Sequence, residues 1–221
     1  MTQLGQVLDP VSGNVTKPRS FTVGSKEASH LSLLALGLNG ITDEGYDPLD
    51  LFHWPVPLTP EEKVKINTGD QRLDNVLVIL YRKMKSLEDF NAKQPGYGGF
   101  IPWIGITDTG LDNKDKTNAK TVSLDDGQMA WGIYPVAHVL QKPQYKDHHE
   151  LGLRYRKYFD LMADNAATVF LNKTGNYFAM ASIVGQSNLP VKDNTYKSDG
   201  PDASRAPLDG EPFAIFAYLF A

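Results

Sequence analysis

The sequence predicts a mainly α fold, a partial toroid of alternating inner and outer helices with one short β segment. Three observations predict it. Three near-uncharged helical runs, Ser25–Asn39, Ser123–Gln141 and Asp209–Ala221, alternate with two heavily charged amphipathic runs, Asp70–Phe90 and Asp147–Leu171. A helix that is apolar all round is buried on every side, and one with a single apolar stripe is half solvated. The first set therefore reads as inner and the second as outer. Each charge-poor run also carries a carboxylate in its opening turn. Finally, the third inner helix has no outer partner after it. Residues 1–221 thus read as a single incomplete catalytic domain, the front part of a larger α/α barrel.

The elements follow in order. Residues Met1–Gly24 are polar, with Pro and Gly, and read as an extended lead-in. Ser25 is a good N-cap and Gly40 a good C-terminal breaker; between them lie Ala28, Leu31, Leu33, Leu34, Leu36 and Leu38. Ile41–Thr59 is a loop rich in Pro, Asp and aromatic residues, and Thr59-Pro60-Glu61-Glu62 opens a short helix with Pro at its first position. In the first outer helix Leu73, Val76, Leu77, Leu80, Met84 and Leu87 form one stripe at helical spacing.

Asn91–Val122 is a long loop holding Tyr97-Gly98-Gly99-Phe100-Ile101-Pro102-Trp103, and a loop of that length in a compact domain is usually functional. Ser123-Leu124-Asp125-Asp126 resembles a capping box. Behind it Met129, Ile133, Val136 and Leu140 form one stripe, with Trp131, Tyr134 and His138 on another face; Pro135 bends the helix and frees the carbonyl of Trp131. The second outer helix buries Leu151, Tyr155, Tyr158, Met162, Ala166 and Val169. Tyr177–Val184 is the β segment, Gly185–Leu208 a polar loop, and Asp209 caps the last helix.

Composition narrows the function classes. The net charge of -4 gives no basic nucleic-acid surface, and no 18-residue apolar run exists to cross a membrane. Zero cysteines exclude disulfides, thiol catalysis and thiolate metal sites. The histidines His30, His53, His138, His148 and His149 show no His-x-x-x-His spacing, so no metal is expected. There is no nucleophile elbow, P-loop or dinucleotide fingerprint, so no cofactor is expected either. MTQLGQVLDP shows no signal peptide; the sequons at Asn14 and Asn172 matter only in a secreted protein.

In a ring of α-hairpins all inner helices run the same way, so their N-termini share one rim. Glu27, Asp125, Asp126, Asp209 and Glu211 would then converge on one mouth. Trp54, Tyr97, Trp103, Trp131 and Tyr134 lie on the intervening loops or just inside the same end. Carboxylates with aromatic platforms suit sugars, since rings pack on pyranose faces and carboxylates bond hydroxyls or move protons. Asp125 and Asp209 read as caps, and Glu27 as a helix-dipole residue. Asp126 is either a capping-box partner or a sugar ligand; Trp131 and Tyr134 are either platform or core. Glu211 is the functional candidate. One objection stands, because a helix N-terminus favours the anion, the wrong direction for a general acid.

The stretches SFTVGSKEASHLSLLALGL, VSLDDGQMAWGIYPVAHVL and LDGEPFAIFAYLF resemble the endo-β-1,2-glucanases of the (α/α)6-barrel glycoside hydrolases, the fungal type more than the bacterial. The resemblance spans residue 20 to the end. It implies hydrolysis of a β-1,2-glucan polysaccharide or oligosaccharide with inversion. A monomer is expected. The resemblance also implies Glu211 as proton donor and a general base far downstream, beyond this chain, which would leave the fragment inactive. Secretion accords with it. Two other classes remain open. One is a glucan-binding or inactive remnant. The other is another sugar-active toroid enzyme, an epimerase using His30 or His138, or a lyase, which the acidic rim disfavours.

Overall fold

A computed structural model describes residues 6–8, 15–18, 21–40, 42–107, 110–112, 120–206 and 210–221. In chain order the elements are β1 (Gln6–Leu8), β2 (Val15–Pro18), β3 (Phe21–Thr22), α1 (Gly24–Asn39), α2 (Pro60–Lys65), α3 (Gln71–Lys93), β4 (Ile104–Thr107), β5 (Gly110–Asp112), β6 (Lys120–Val122), α4 (Ser123–Val139), α5 (His149–Phe170), β7 (Leu171–Asn172), β8 (Tyr177–Val184), β9 (Tyr196–Asp202) and α6 (Gly210–Phe220). The fold is mainly α, a partial helical toroid, as the charge alternation predicts.

The inner helices α1, α4 and α6 lie side by side and run the same way. Gly24 abuts the carbonyl of Asp125, and Ala28 abuts Gly132, so α1 and α4 advance together. On the other flank Gly127 abuts the backbone of Phe213, and Trp131 and Tyr134 meet Phe220 one helical stretch later. The glycine contacts are backbone to backbone. A Cβ at Gly132 would stand 2.7 Å from the Cα of Ala28, a spacing only glycine permits. The outer helix α5 returns antiparallel to α4, with Gly152 against Leu140 and Phe159 against Tyr134. The outer pair α3 and α5 is tied by Tyr155, whose hydroxyl donates to the carbonyl of Leu80, and by the Arg154–Glu88 ion pair.

The expected stripes are the ones that go inside. Val76, Leu77, Leu80, Met84 and Leu87 of α3 are buried, with Leu73 partly so. Leu151, Tyr155, Tyr158, Met162, Ala166 and Val169 of α5 are buried without exception. The inner helices depart from expectation. They bury one side only, and Leu33 and Leu36 of α1 and Ile215, Tyr218 and Leu219 of α6 stand exposed.

Two predicted caps are corrected. The N-cap of α1 is Val23, not Ser25, and has no side-chain cap bond. The N-cap of α4 is Val122; Ser123 donates instead to the carbonyls of Ala179 and Met180, fastening α4 to β8. Thr59 does form a full capping box with Glu62, and Gly40 ends α1 at φ 100°. Asp209 lies outside the described residues.

Strand content exceeds the single segment foreseen. Tyr177–Val184 is β8, but it pairs with β6, β7 and β9. The last replaces part of the loop expected over Gly185–Leu208. Its sequence, YKSDGPD, carries none of the β-branched or alternating pattern that marks a strand. The lead-in holds β1, β2 and β3, and the long loop before α4 holds β4, β5 and β6. The β3–β4–β5 sheet stands beside the N-terminal ends of the inner helices, since β3 leads straight into α1.

Candidate active site

The opening turns of the three inner helices meet. Gly24 touches Asp125 and Gly127 touches Phe213, so α4 stands between α1 and α6 at a common rim. Glu27, Asp125, Asp126 and Glu211 all belong to those turns. The shared rim is real, but the carboxylates on it differ in environment.

Glu211 is exposed, in the first turn of α6. The backbone around it is fixed from two sides. The indole Nε1–H of Trp131 donates to the carbonyl of Pro212 at 2.8 Å, and the Gly127 peptide leaves no room beside Phe213. Trp131 is half-buried against Tyr134 and Phe220, so its ring joins α4 to α6. Tyr134, also half-buried, packs on His138, Phe159 and Phe220.

Asp126 is fully buried. Its Oδ2 accepts the Thr121 hydroxyl at 2.6 Å and its Oδ1 accepts the Ile101 N–H at 3.1 Å, with a further backbone bond from Val122. Burial pushes its carboxyl well above the usual range, against the pull of these bonds. The residue clamps β6 and the 97–103 turn onto α4, and a sugar has no access to it in this arrangement. Asp125 is not a cap. It takes the indole N–H of Trp103 at 3.1 Å. Trp103 itself is 60% exposed and stacks on Phe21.

Glu27 sits beneath the rim. Lys83 of α3 and Thr22 both donate to its carboxylate. Burial pushes the Glu27 pKa up, but the charge and hydrogen bond of Lys83 outweigh it and hold the group below its ordinary value. His30, one turn on, is nearly buried, and its Nδ1 has no hydrogen-bond partner among the described residues. Burial, and then the Lys83 charge, pull the His30 pKa down to about 3, with Glu27 opposing. A neutral, sealed imidazole does not act on substrate from there. His138 is exposed, at the opposite end of α4.

Two aromatic candidates stand elsewhere. Tyr97 is completely buried and stacked on Phe90, so it is core and presents no ring to solvent. Trp54 is 75% exposed but belongs to the other rim. Its loop leaves the C-terminal end of α1, where Phe52 packs on Gly37, and Asn75 at the start of α3 holds the carbonyls of Phe52 and Trp54. It does not share a mouth with Glu211. Sequence reasoning missed Phe21, Thr121 and Lys83 as rim supports. Phe21 and Thr121 lie on short strands with no periodic signal, and Lys83 reads as one more charge on an outer helix.

The profile of a family described as Endo-beta-1,2-glucanase SGL matches residues 1–221. Among solved structures, the chain is similar to the endo-β-1,2-glucanase from Talaromyces funiculosus in complex with sophorose, at TM-score 0.79 and 23% identity, covering 99% of this chain and 41% of that chain. It is similar as well to a mutant of that enzyme in complex with β-1,2-glucan, at TM-score 0.78 and 23% identity with the same coverage. The chain therefore spans about two-fifths of the length of these structures. No match was found among curated proteins.

Proposed function

The chain belongs to the endo-β-1,2-glucanase SGL family, and on that premise we propose that it serves the hydrolysis of a β-1,2-glucan, with Glu211 as the proton donor. The observation that carries this reading is the common rim, where an exposed glutamate opens one of three parallel, charge-poor helices. Glu211 gives its proton to the glycosidic oxygen as the bond to the anomeric carbon breaks. Water attacks that carbon from the opposite face, and a second carboxylate takes the water's proton, so the configuration inverts. In such a site the two carboxyls stand roughly 6.5–9.5 Å apart with the water between them.

The chain spans 41% of the Talaromyces funiculosus glucanase chains. On that ground we read it as one part of a catalytic toroid whose general base lies beyond these residues, and the isolated 221-residue piece as inactive. Trp103, Trp131 and Tyr134 remain as ligand-facing candidates, each with part of its ring accessible. Tyr97, Asp126 and Trp54 drop out on burial or on position.

The test is reducing-sugar release from linear β-1,2-glucan by the intact natural protein and its Glu211→Gln variant. The substitution is expected to lower turnover about 10²–10⁴-fold, the usual worth of a positioned general acid. Retained turnover would remove Glu211 from the donor role. Glucan binding without turnover by the unmutated protein would instead leave a binding remnant.

A further inference from the structure

Trp103 combines high exposure with a fixed orientation. It sits in the turn before β4, and β4 pairs with β3 in the register Phe21↔Gly105 and Thr22↔Ile104. That pairing brings Phe21 under the indole, with centroids 6.1 Å apart and planes 25° apart. The Lys26 ammonium stands 3.5 Å from the Phe21 centroid. The ring edge is pinned separately, because Nε1–H donates to Asp125 Oδ2. An exposed tryptophan free to change rotamer would lose that freedom on contact with a ligand. Here a second ring and a carboxylate hold it beforehand, which lowers the entropic cost of binding.

We propose that Trp103, Phe21 and Asp125 form a secondary glucosyl subsite at the α1–α4 seam of the rim, remote from the bond that is cleaved. The inference rests on the glucan reading above and extends it to a second contact. The apolar C–H face of a pyranose lies on the open indole surface. The equatorial hydroxyls at the ring edge face the Lys26 ammonium beside Phe21, while Asp125 holds the indole that carries the sugar.

The position follows from α4. Asp125 abuts Gly24 on the α1 side, while Gly127 abuts Phe213 on the α6 side, where Glu211 is. Packed helices lie roughly 8–10 Å apart, so a glucan touching both Trp103 and Glu211 has to run across α4 and contain several glucosyl units. Asp125 is then a positioning residue, which acts on the sugar through the indole it orients.

The experiment measures binding by calorimetry in the Glu211→Gln background of the intact natural protein, so that substrate is not consumed. The ligands are long linear β-1,2-glucan and the disaccharide sophorose. Trp103→Ala is expected to weaken long-glucan binding about tenfold, a loss of about 1.4 kcal/mol, and to weaken the disaccharide less. Asp125→Ala should weaken long-glucan binding by a smaller factor, and Asp125→Asn, whose amide oxygen still accepts the indole N–H, should restore most of it. Equal affinity of Trp103→Ala and its parent for the long glucan would overturn the subsite while leaving Glu211 untouched. Absence of any glucan binding or cleavage by the unmutated protein would overturn the functional reading and the subsite together.

Discussion

Trp131 and Pro212 are joined by a 2.8 Å hydrogen bond from the indole Nε1–H to the backbone carbonyl, one residue beyond Glu211. The bond crosses from the third turn of α4 to the first turn of α6. It makes Trp131 a brace for the turn that carries Glu211 as well as a ring with an accessible edge. Trp131→Phe removes the donor and trims the apolar packing against Tyr134 and Phe220, so the hydrogen bond sets the lower bound of its cost. A single neutral hydrogen bond contributes about 0.5–1.5 kcal/mol. The variant is therefore expected to lose at least that much stability in denaturant unfolding. In the intact natural protein, on the role proposed for Glu211, turnover of β-1,2-glucan should fall by more than stability alone accounts for, because the Glu211 backbone gains freedom.

Asp126 organises the same rim from inside the protein. Asp126→Ala would leave the Thr121 hydroxyl and the Ile101 N–H unpaired inside the protein, at a cost of about 2–6 kcal/mol for the two together. Asp126→Asn keeps the shape and should cost less. The two chemistries also differ in pH dependence. Burial raises the Asp126 pKa in the folded protein, so the native state holds a proton that the unfolded chain releases near pH 4. Its contribution is complete below that pH and is lost as pH rises through the folded value. Unfolding curves from pH 4 upward should therefore show the parent losing stability relative to Asp126→Asn. Parallel curves would mean that the Thr121 and Ile101 bonds hold the group ionised.

The helical frame was legible because each helix writes its environment as a period or as an absence of charge. The stripe from Val76 to Leu87 could face only a core, and the charge-poor runs packed side by side, though with one face exposed rather than buried all round. Even their parallel direction followed from the alternation. Tertiary partners were not legible. Asp125 and Asp126 are neighbours with the same local pattern, yet one takes an indole from a loop 22 residues upstream and the other takes a hydroxyl and an amide. Capping rules describe bonds within a turn, and here longer-range bonds displaced them. Trp54 was misplaced for a related reason. Its composition matches a sugar platform, but a loop that leaves the C-terminal end of α1 stays at that end. The strand β9 escaped because its pairing with β8 is held by backbone bonds that polar side chains do not advertise.

His30 makes the molecule sensitive to acid. Its folded pKa of about 3 lies below the unfolded value, so the unfolded chain binds a proton that the native chain refuses. The corresponding stability is complete above about pH 6.5 and is lost as pH falls toward 3. Glu27, held below its ordinary pKa beside Lys83, adds a loss in the same direction at lower pH. Replacing His30 with glutamine, which does not titrate, should flatten unfolding free energy between pH 6.5 and 4, and an unchanged slope would place the acid sensitivity elsewhere. Lys83→Met acts at all pH values above the Glu27 titration. It strands a buried carboxylate and is expected to cost about 3–5 kcal/mol, measured by denaturant unfolding at neutral pH.

The tight approach of α4 to α6 at Gly127 fixes the turn on which Glu211 stands. A Cβ added at Gly127 would fall 2.5 Å from the backbone nitrogen of Phe213 and 2.6 Å from its Cα. Those are backbone atoms, so no rotamer change relieves the clash, and α6 has to move as a body. Phe213 is fully buried against Phe100, Phe170 and Phe178, which resists that movement. Overpacking of this kind typically costs 1–3 kcal/mol, so Gly127→Ala should lower the thermal midpoint and still fold. In the intact natural protein its larger effect is expected on turnover, since displacement of the first turn of α6 moves Glu211 away from the place its proposed role requires. A misplacement of about 1 Å can cost about 10²-fold in rate. If Gly127→Ala were destabilised yet cleaved glucan at the parent rate, the α4–α6 seam would not be what positions the proton donor.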